Sequence, residues 1–101
     1  MTLLLGVIGD PIAHSLSPLI HNGWLRENGI AATYEAMQVA KGELGLALET
    51  LSERNVRGLN ITLPHKEDAL LLSTGASQQA KAIGAANTLS FGQDKQWRAD
   101  N

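Results

Sequence analysis

Residues 2–9, TLLLGVIG, form an almost continuous apolar run, and the turn-rich segment 10–17, DPIAHSLS, brings it to an end. A strand that other elements cover on both faces has such a sequence, and strands of this kind are typical of parallel sheets. Ser17 and Pro18 then predict the start of a helix, because serine is a good N-cap and proline suits the first helical turn. This stretch therefore predicts the strand, loop and helix that open an α/β fold.

The rest of the chain alternates strand-like and helix-like segments. A stripe of leucines within 41–54 is typical of an amphipathic helix, and Ala76, Ala80 and Ile83 predict a shorter one. The predicted elements after the first helix are a strand over 33–39, a helix over 41–54, a strand over 58–63, helices over 65–72 and 76–83, and a hairpin of strands over 87–91 and 96–99. This order predicts an α/β fold of three layers, a mostly parallel sheet with helices on both faces.

Length and composition exclude several classes of protein. At 101 residues the chain has the size of one small domain, too short for a complete two-domain enzyme, and 44% hydrophobic residues argue against disorder. The net charge of −2 and the lack of a basic run argue against nucleic-acid binding. The first apolar run is too short to span a membrane. Cysteine is absent, which is consistent with the reducing cytoplasm, where we expect this protein.

Searches for nucleotide and metal motifs are negative. No G-x-G-x-x-G, G-x-x-x-x-G-K-[ST] or G-x-S-x-G sequence occurs, and the three histidines have no metal-ligand spacing. His14 is predicted to lie in a loop and His65 to be exposed, and neither has a serine or aspartate partner at an informative spacing. The sequence therefore predicts no metal site and no cofactor site within this chain.

Polar residues gather where two predicted strands end, and in open α/β sheets ligands bind beyond the carboxyl ends of strands. They are Ser15 and Ser17 after the first strand, Asn60, Thr62 and Lys66 around the end of the third, and Asn87 before the hairpin. Hydroxyls and amides both donate and accept hydrogen bonds, which suits a polyhydroxylated ligand, and an ammonium group suits an anion. The set predicts a site for a small hydroxylated carboxylate or phosphate.

Each of these residues also has a simpler interpretation. Ser17 suffices as an N-cap, and Lys66 with Glu67 reads as a solvated pair on an exposed helix face. Asn87 fits a turn as well as a ligand contact. Asn60 is harder to explain in this way, because asparagine is disfavoured inside strands.

Three sequence blocks carry a resemblance to a known family. Residues 6–18 (GVIGDPIAHSLSP), 60–67 (NITLPHKE) and 84–89 (GAANTL) resemble, in order and spacing, the N-terminal substrate-binding domain of shikimate dehydrogenases. This family reduces 3-dehydroshikimate to shikimate with NADPH, on the route to chorismate and the aromatic amino acids. The resemblance implies that residues 1–101 are one substrate-binding domain.

The resemblance also implies roles for the polar residues. Ser15 and Ser17 match the pair that holds the substrate carboxylate, Lys66 matches the catalytic lysine, Thr62 matches a threonine that contacts substrate, Asn87 matches an asparagine that contacts the ring hydroxyls, and Asn60 shares a strand face with Thr62. Reduction of a ketone leaves an alkoxide that must be stabilised and protonated, and an ammonium group on that oxygen can do both.

The sequence departs from the family at its end. Asn101 resembles the first residue of the family's N-T-D-G stretch, so the aspartate that partners the lysine would lie two positions further on. Asp100 is not the match, although it is a candidate partial substitute. The NADP-binding Rossmann domain and the C-terminal helix that packs on the substrate domain are absent from these 101 residues. We therefore expect NADP to bind only through the longer parent protein of which this chain would be one domain, and this chain alone to show no turnover. We also expect self-association, for example as a homodimer, or lowered stability.

Three other functions stay open from the sequence. The chain could be a stand-alone module that binds shikimate-like carboxylates without catalysis. It could belong to a related dehydrogenase for quinate or an aminated substrate, although the serine pair favours shikimate. It could also be a structural or adaptor domain in which the polar loops are incidental.

Overall fold

The structure, a computed structural model, describes residues 3–12 and 17–101, and for Ser17 the backbone alone. Strands and helices alternate over most of this length, as predicted. The elements are β1 (Leu3–Gly9), α1 (Ser17–Glu27), β2 (Ala32–Gln38), α2 (Leu44–Ser52), β3 (Val56–Ile61), α3 (Lys66–Leu72), β4 (Gly75–Ala76), α4 (Gln78–Ile83), β5 (Thr88–Phe91) and β6 (Trp97–Asp100).

The described strands form one mixed sheet in the order β2-β1-β3-β5-β6-β4. β1 pairs in parallel with both β2 and β3, and β4 pairs in parallel with β6. β5 runs against both of its neighbours, β3 and β6, and the β5–β6 pair confirms the predicted hairpin. Because β5 alone runs against the other described strands, the carboxyl ends of β1, β3 and β6 meet at one edge of the sheet, together with the start of β5.

The main core lies on one face of the sheet. Leu4 and Ile8 of β1 pack there against the predicted leucine stripe of α2, whose members Leu44, Leu48 and Leu51 are all buried. Burying a leucine or isoleucine side chain contributes about 1.5–3 kcal/mol. α3 closes the same core with Ala69, which is fully buried. The apolar spacing of the sequence therefore predicted the inner face of α2 correctly.

A smaller core lies on the opposite face, where α1 contacts β1 and β2. It consists of Val7, Ile12, Leu25 and Tyr34. Val7 lies in β1 one residue before Ile8, so the alternation of a strand directs the two side chains to opposite faces. The two cores therefore place helices on both faces of the sheet.

Beyond β1, the face that carries α1 is polar. Five side chains of β3, β5 and β6 form what we call the polar sheet face: Asn60, Thr88, Ser90, Arg98 and Asp100. They follow from the strand alternation, since Leu59, Leu89, Trp97 and Ala99 between them belong to the main core. Asn60 pairs with Thr88, which pairs with Asp100, and Ser90 pairs with Arg98. All of them except the partly buried Thr88 are exposed.

The predicted helix over 76–83 forms as α4 and ends at Ile83 as predicted, but its start and its predicted buried stripe are wrong. Ala76 lies in β4, and Ile83 is 64% exposed, so Ala80 is the buried member of the three. The helix begins later because the Ser77 hydroxyl caps it by accepting a hydrogen bond from the Ala80 N–H at 3.1 Å. It ends at Gly84, whose φ of 80° suits glycine.

The surface of α1 is unusually apolar. Leu19, Ile20 and Trp24 are 70%, 65% and 55% exposed on a helix of eleven residues. α1 begins at Ser17, as predicted, but the proposed capping hydroxyl lies outside the described atoms. No helix in ranges 3–12 and 17–101 is long and apolar enough to cross a membrane.

Candidate functional site

The two polar loops leave the sheet side by side. The Thr62 N–H donates to the Ile8 carbonyl at 2.9 Å, and the Asp10 N–H donates to the Leu63 carbonyl at 3.0 Å. These bonds continue the pairing of β1 with β3 past the end of both strands. The loop that leads from Asp10 towards α1 therefore starts beside Thr62.

Gly9 makes this close approach possible. A Cβ atom at Gly9 would overlap the Cγ2 atom of Thr62 and would lie 3.2 Å from the Leu63 carbonyl oxygen. Glycine is required here because any larger residue would push Thr62 away from its place at the end of β3.

Lys66 and Asn87 flank the same end of β3. Lys66 is the first residue of α3, and its carbonyl accepts a hydrogen bond from the Ala86 N–H at 2.8 Å. The carbonyl of the next residue, Asn87, accepts from the Ile61 N–H at 2.8 Å. The backbone therefore brings α3 and the segment before β5 together around the end of β3, with Asn87 exposed and Lys66 half-buried.

Lys66 is not engaged by a neighbouring carboxylate. No acidic side chain in the described part of the chain, Glu67 included, makes an ion pair with Lys66. Glu67 and Asp68 stand in the same first turn of α3, where negative charge is favourable and a cation is not. The ammonium group is thus positioned at the site without a protein partner among the described residues.

Asn60 is held by a tyrosine that the sequence analysis did not single out. The Tyr34 hydroxyl donates a hydrogen bond of 2.6 Å to Asn60 Oδ1. Tyr34 is 5% exposed, and burial raises the pKa of its phenol above the usual 10.0, so the hydroxyl stays protonated and donates. The only signal in the sequence was a lone tyrosine in a predicted strand, since a buried tyrosine usually needs a hydrogen-bond partner.

The prediction that His65 is exposed is wrong. Its side chain is fully buried, and Nε2 lies 2.5 Å from the Val39 carbonyl oxygen. His65 stands in the turn between β3 and α3, where its N–H donates to the Thr62 carbonyl at 3.1 Å. It therefore ties the loop that carries Thr62 and Lys66 to the loop that follows β2, and Nδ1 has no hydrogen-bond partner in the described part of the chain.

Asp100, the candidate partial substitute, already has hydrogen-bond partners. The Ser77 hydroxyl and the Asn101 N–H, the latter at 2.7 Å, hold the pKa of its carboxyl below the usual range. Asp100 is exposed on the polar sheet face, with Thr88 between it and Asn60. The carboxylate is therefore ionised and fixed towards β4 and α4, and its role in catalysis stays a prediction.

The structure brings together four of the six predicted site residues: Asn60, Thr62, Lys66 and Asn87. Ser15 lies outside the described residues, as does His14, and Ser17 is placed only as the start of α1. No group of three histidine, cysteine, aspartate or glutamate side chains in the described ranges could hold a metal ion.

The mixed sheet and its helices make this an α/β domain, and a lysine, a threonine and two asparagines lie around one strand end, the edge where ligands bind in open α/β sheets. The shikimate dehydrogenase substrate binding domain family matches residues 7–89, most of the chain. The chain therefore belongs to the shikimate dehydrogenase family.

Individual relatives agree with this assignment. A shikimate dehydrogenase (NADP(+)) of Hyphomonas neptunium is 55% identical over 101 residues, which are 100% of this chain and 37% of that protein. The crystal structure of shikimate dehydrogenase from Aquifex aeolicus superposes with a TM-score of 0.92 at 39% identity, over 99% of this chain and 37% of that one. The enzyme of Thermus thermophilus, crystallised in complex with shikimate, gives 0.91 at 37% identity, over 99% and 38%. The chain thus spans well under half the length of these relatives.

Proposed function

We propose that this chain is the substrate-binding domain of an NADP-dependent shikimate dehydrogenase, which interconverts 3-dehydroshikimate and shikimate on the route to chorismate and the aromatic amino acids. The observation that carries the proposal is the convergence of Asn60, Thr62, Lys66 and Asn87 around the end of β3. The relative from Thermus thermophilus, whose structure contains shikimate, supports the choice of ligand.

The chemistry of the site suits a cyclic hydroxylated carboxylate. The carboxamide of Asn87 and the hydroxyl of Thr62 can each donate to or accept from a ring hydroxyl. The family resemblance assigns the substrate carboxylate to Ser15 and Ser17, on the loop that starts beside Thr62.

Lys66 is the residue of this chain that we assign to the chemical step. Reduction of the ketone places negative charge on its oxygen, and the Lys66 ammonium group would stabilise that charge and donate the proton that completes the alcohol. In the opposite direction the neutral amine would accept the hydroxyl proton. General acid–base groups of this kind typically contribute about 10²–10⁴-fold to a rate.

The residues of this chain do not fit a dinucleotide. The sequence has no G-x-G-x-x-G stretch, the motif whose glycines let a backbone approach a pyrophosphate. We therefore assign NADP binding to the rest of the parent protein. Residues 1–101 are then a single domain, with three layers formed by the sheet and its two helical faces.

Two further expectations belong to this proposal. We expect the parent enzyme to act in the cytoplasm, because its relatives are biosynthetic enzymes. The exposed side chains of Leu19, Ile20 and Trp24 support self-association of the chain, because uncovered apolar patches tend to find partners.

A nuclear magnetic resonance titration of the chain with shikimate tests the proposal, with NADP in a parallel sample. We expect saturable shifts at Asn60, Thr62, Lys66 and Asn87 with shikimate, and none with NADP. A folded sample without shikimate-dependent shifts would contradict the proposal.

A pair of lysine variants adds a matched control to the titration. Lys66→Ala should weaken shikimate binding about 10-fold, since it removes a charged hydrogen-bond donor from the site. Lys81→Ala removes an exposed lysine in the last turn of α4 and should bind as the parent chain does. Equal affinities for all three proteins would remove Lys66 from the site.

A further inference from the structure

The Asn60 carboxamide has one end occupied and one end open. Its Oδ1 accepts the hydrogen bond from Tyr34 at 2.6 Å. No residue in ranges 3–12 and 17–101 accepts a hydrogen bond from its Nδ2, and Asn60 is exposed on the polar sheet face. The two N–H donors are therefore the part of the side chain that this arrangement leaves for a ligand.

Tyr34 is itself fixed on several sides. The side chain of Asn22 in α1 donates to the Tyr34 carbonyl at 2.9 Å and accepts from the Tyr34 N–H at 2.8 Å. The ring of His21 stacks on the tyrosine ring at 4.3 Å between centroids, with an angle of 11° between the planes. Val7 and Leu25 pack in the same small core. The phenol therefore has little freedom to leave Asn60.

We propose that Tyr34 is a positioning residue, which turns the Asn60 carboxamide so that its N–H groups face the ligand and this corner of the site selects an oxygen acceptor. A carboxamide has two ends of almost the same shape, one donating and one accepting, and without a partner both orientations would be populated. The phenol hydroxyl can accept as well as donate, but in the reversed orientation its buried proton would face the Nδ2 donors and have no acceptor in the described part of the chain. Tyr34 therefore favours the orientation with Oδ1 towards it. The inference rests on the proposed function, since it concerns the same site.

The opposite interpretation is that Asn60 serves Tyr34 by satisfying a buried hydroxyl, with no consequence for a ligand. A double-mutant cycle separates the two interpretations. Tyr34→Phe keeps the ring, its stacking on His21 and its burial, and removes only the hydroxyl. Asn60→Ala removes the carboxamide. If Tyr34 acts through Asn60, its hydroxyl can matter only while Asn60 is present.

The affinity for shikimate is the first readout of this cycle. We expect Tyr34→Phe to weaken binding about 3- to 10-fold and Asn60→Ala about 10-fold, the range for one hydrogen bond. The double variant should bind within about 2-fold of Asn60→Ala, because the tyrosine then has nothing left to orient. An unchanged affinity in Tyr34→Phe, or the same loss in both backgrounds, would overturn the inference.

Asn60→Asp sharpens the cycle. Its carboxylate still accepts the Tyr34 hydrogen bond, so the buried hydroxyl keeps a partner, but both N–H donors are gone. We expect the variant to unfold at the same denaturant concentration as the parent chain within error and to lose shikimate affinity by about 10-fold or more. Retained affinity would show that the site does not use a donor at Asn60.

A ligand-free measurement keeps the inference testable if the chain fails to bind shikimate, which would contradict the proposed function alone. The Nδ2 group of Asn60 should have a high order parameter in the parent chain and a clearly lower one in Tyr34→Phe. Asn101, whose Nδ2 donates to the Ala85 carbonyl at 3.1 Å, is the internal control and should not change. Equal order at Asn60 in both proteins would overturn the role of Tyr34.

Discussion

The two faces of the sheet differ in how much of each the helices cover. On one face α2 and α3 cover the strands completely enough that Ile8, Leu59 and Leu89 are almost inaccessible to solvent. On the other face α1 covers only β1 and β2, and the same strands β3, β5 and β6 present Asn60, Ser90 and Arg98 to solvent. A strand needs only one apolar face to be stable, so its other face can carry polar residues that solvent and ligands reach.

The largest expected effect contrasts two neighbours in β5. Leu89→Ala removes a fully buried side chain from the main core and should lower the free energy of unfolding by about 2–5 kcal/mol. Ser90→Ala, on the polar sheet face, should change it by no more than about 0.5 kcal/mol. Urea unfolding of both variants measures the difference. Similar losses for the two would mean that the faces are not as unequal as their burial indicates.

The sequence predicted those parts of the contrast between the two faces that depend on residues close together in the chain. The leucine stripe of α2 and the β5–β6 hairpin follow from residues a few positions apart, and both were predicted. The helix predicted over 76–83 also forms, but its start was wrong, because Ala76 pairs in β4 and the Ser77 cap places the start of the helix after it.

The features that were not predicted join distant parts of the chain. His65 is buried against Val39, and Tyr34 donates to Asn60, and each pair is separated by 26 positions. No period or motif links such residues, since the contact exists only once β2 has been placed beside β1 and β1 beside β3. The sequence predicted the polar residues around the end of β3 by type and position, and their role as a site stays a prediction, whereas the contacts of His65 and Tyr34 required the fold.

The second-largest effect is expected at Gly9, the last residue of β1. Gly9→Ala should force Thr62 out of place and lower the free energy of unfolding by about 1–3 kcal/mol, with a loss of shikimate affinity. Gly23→Ala is the matched control, because a Cβ atom at Gly23, inside α1, meets nothing within 4 Å among the described residues outside the backbone of its own helix. It should be stabilising by about 0.5–1 kcal/mol through the better helix propensity of alanine. Thermal unfolding of both variants measures the change in stability, and a shikimate titration measures the change in affinity. Unchanged affinity in Gly9→Ala would mean that shikimate binding does not depend on the position of Thr62.

A smaller effect is expected at the far edge of the polar sheet face. Ser77→Ala removes the cap of α4, at a cost of about 1 kcal/mol, and also removes a hydrogen bond to Asp100. Because the folded state holds the pKa of Asp100 low, this carboxyl favours folding at pH values above its unfolded pKa, and the effect is lost as the pH falls through its folded pKa. In the variant the pKa of Asp100 should rise towards its usual value. Carboxyl chemical shifts followed from neutral to acid pH measure this, and an unchanged pKa would show that Ser77 does not hold Asp100.

The smallest effect on stability is expected from the ionisation of Tyr34, which lies in the smaller core and donates to Asn60 of the polar sheet face. Tyr34 is the only tyrosine of the chain, so the ultraviolet absorbance of phenolate reports on this side chain alone. Burial raises its pKa above the usual 10.0, so the phenol should ionise only above that pH, and the stability that it contributes should be complete below it and lost as the pH rises through the folded pKa. Ionisation at or below the usual pKa of 10.0 in the folded chain would mean that solvent reaches the hydroxyl. Above the folded pKa the phenolate has no proton to give to Oδ1, so Asn60 should keep this donor only below that pH.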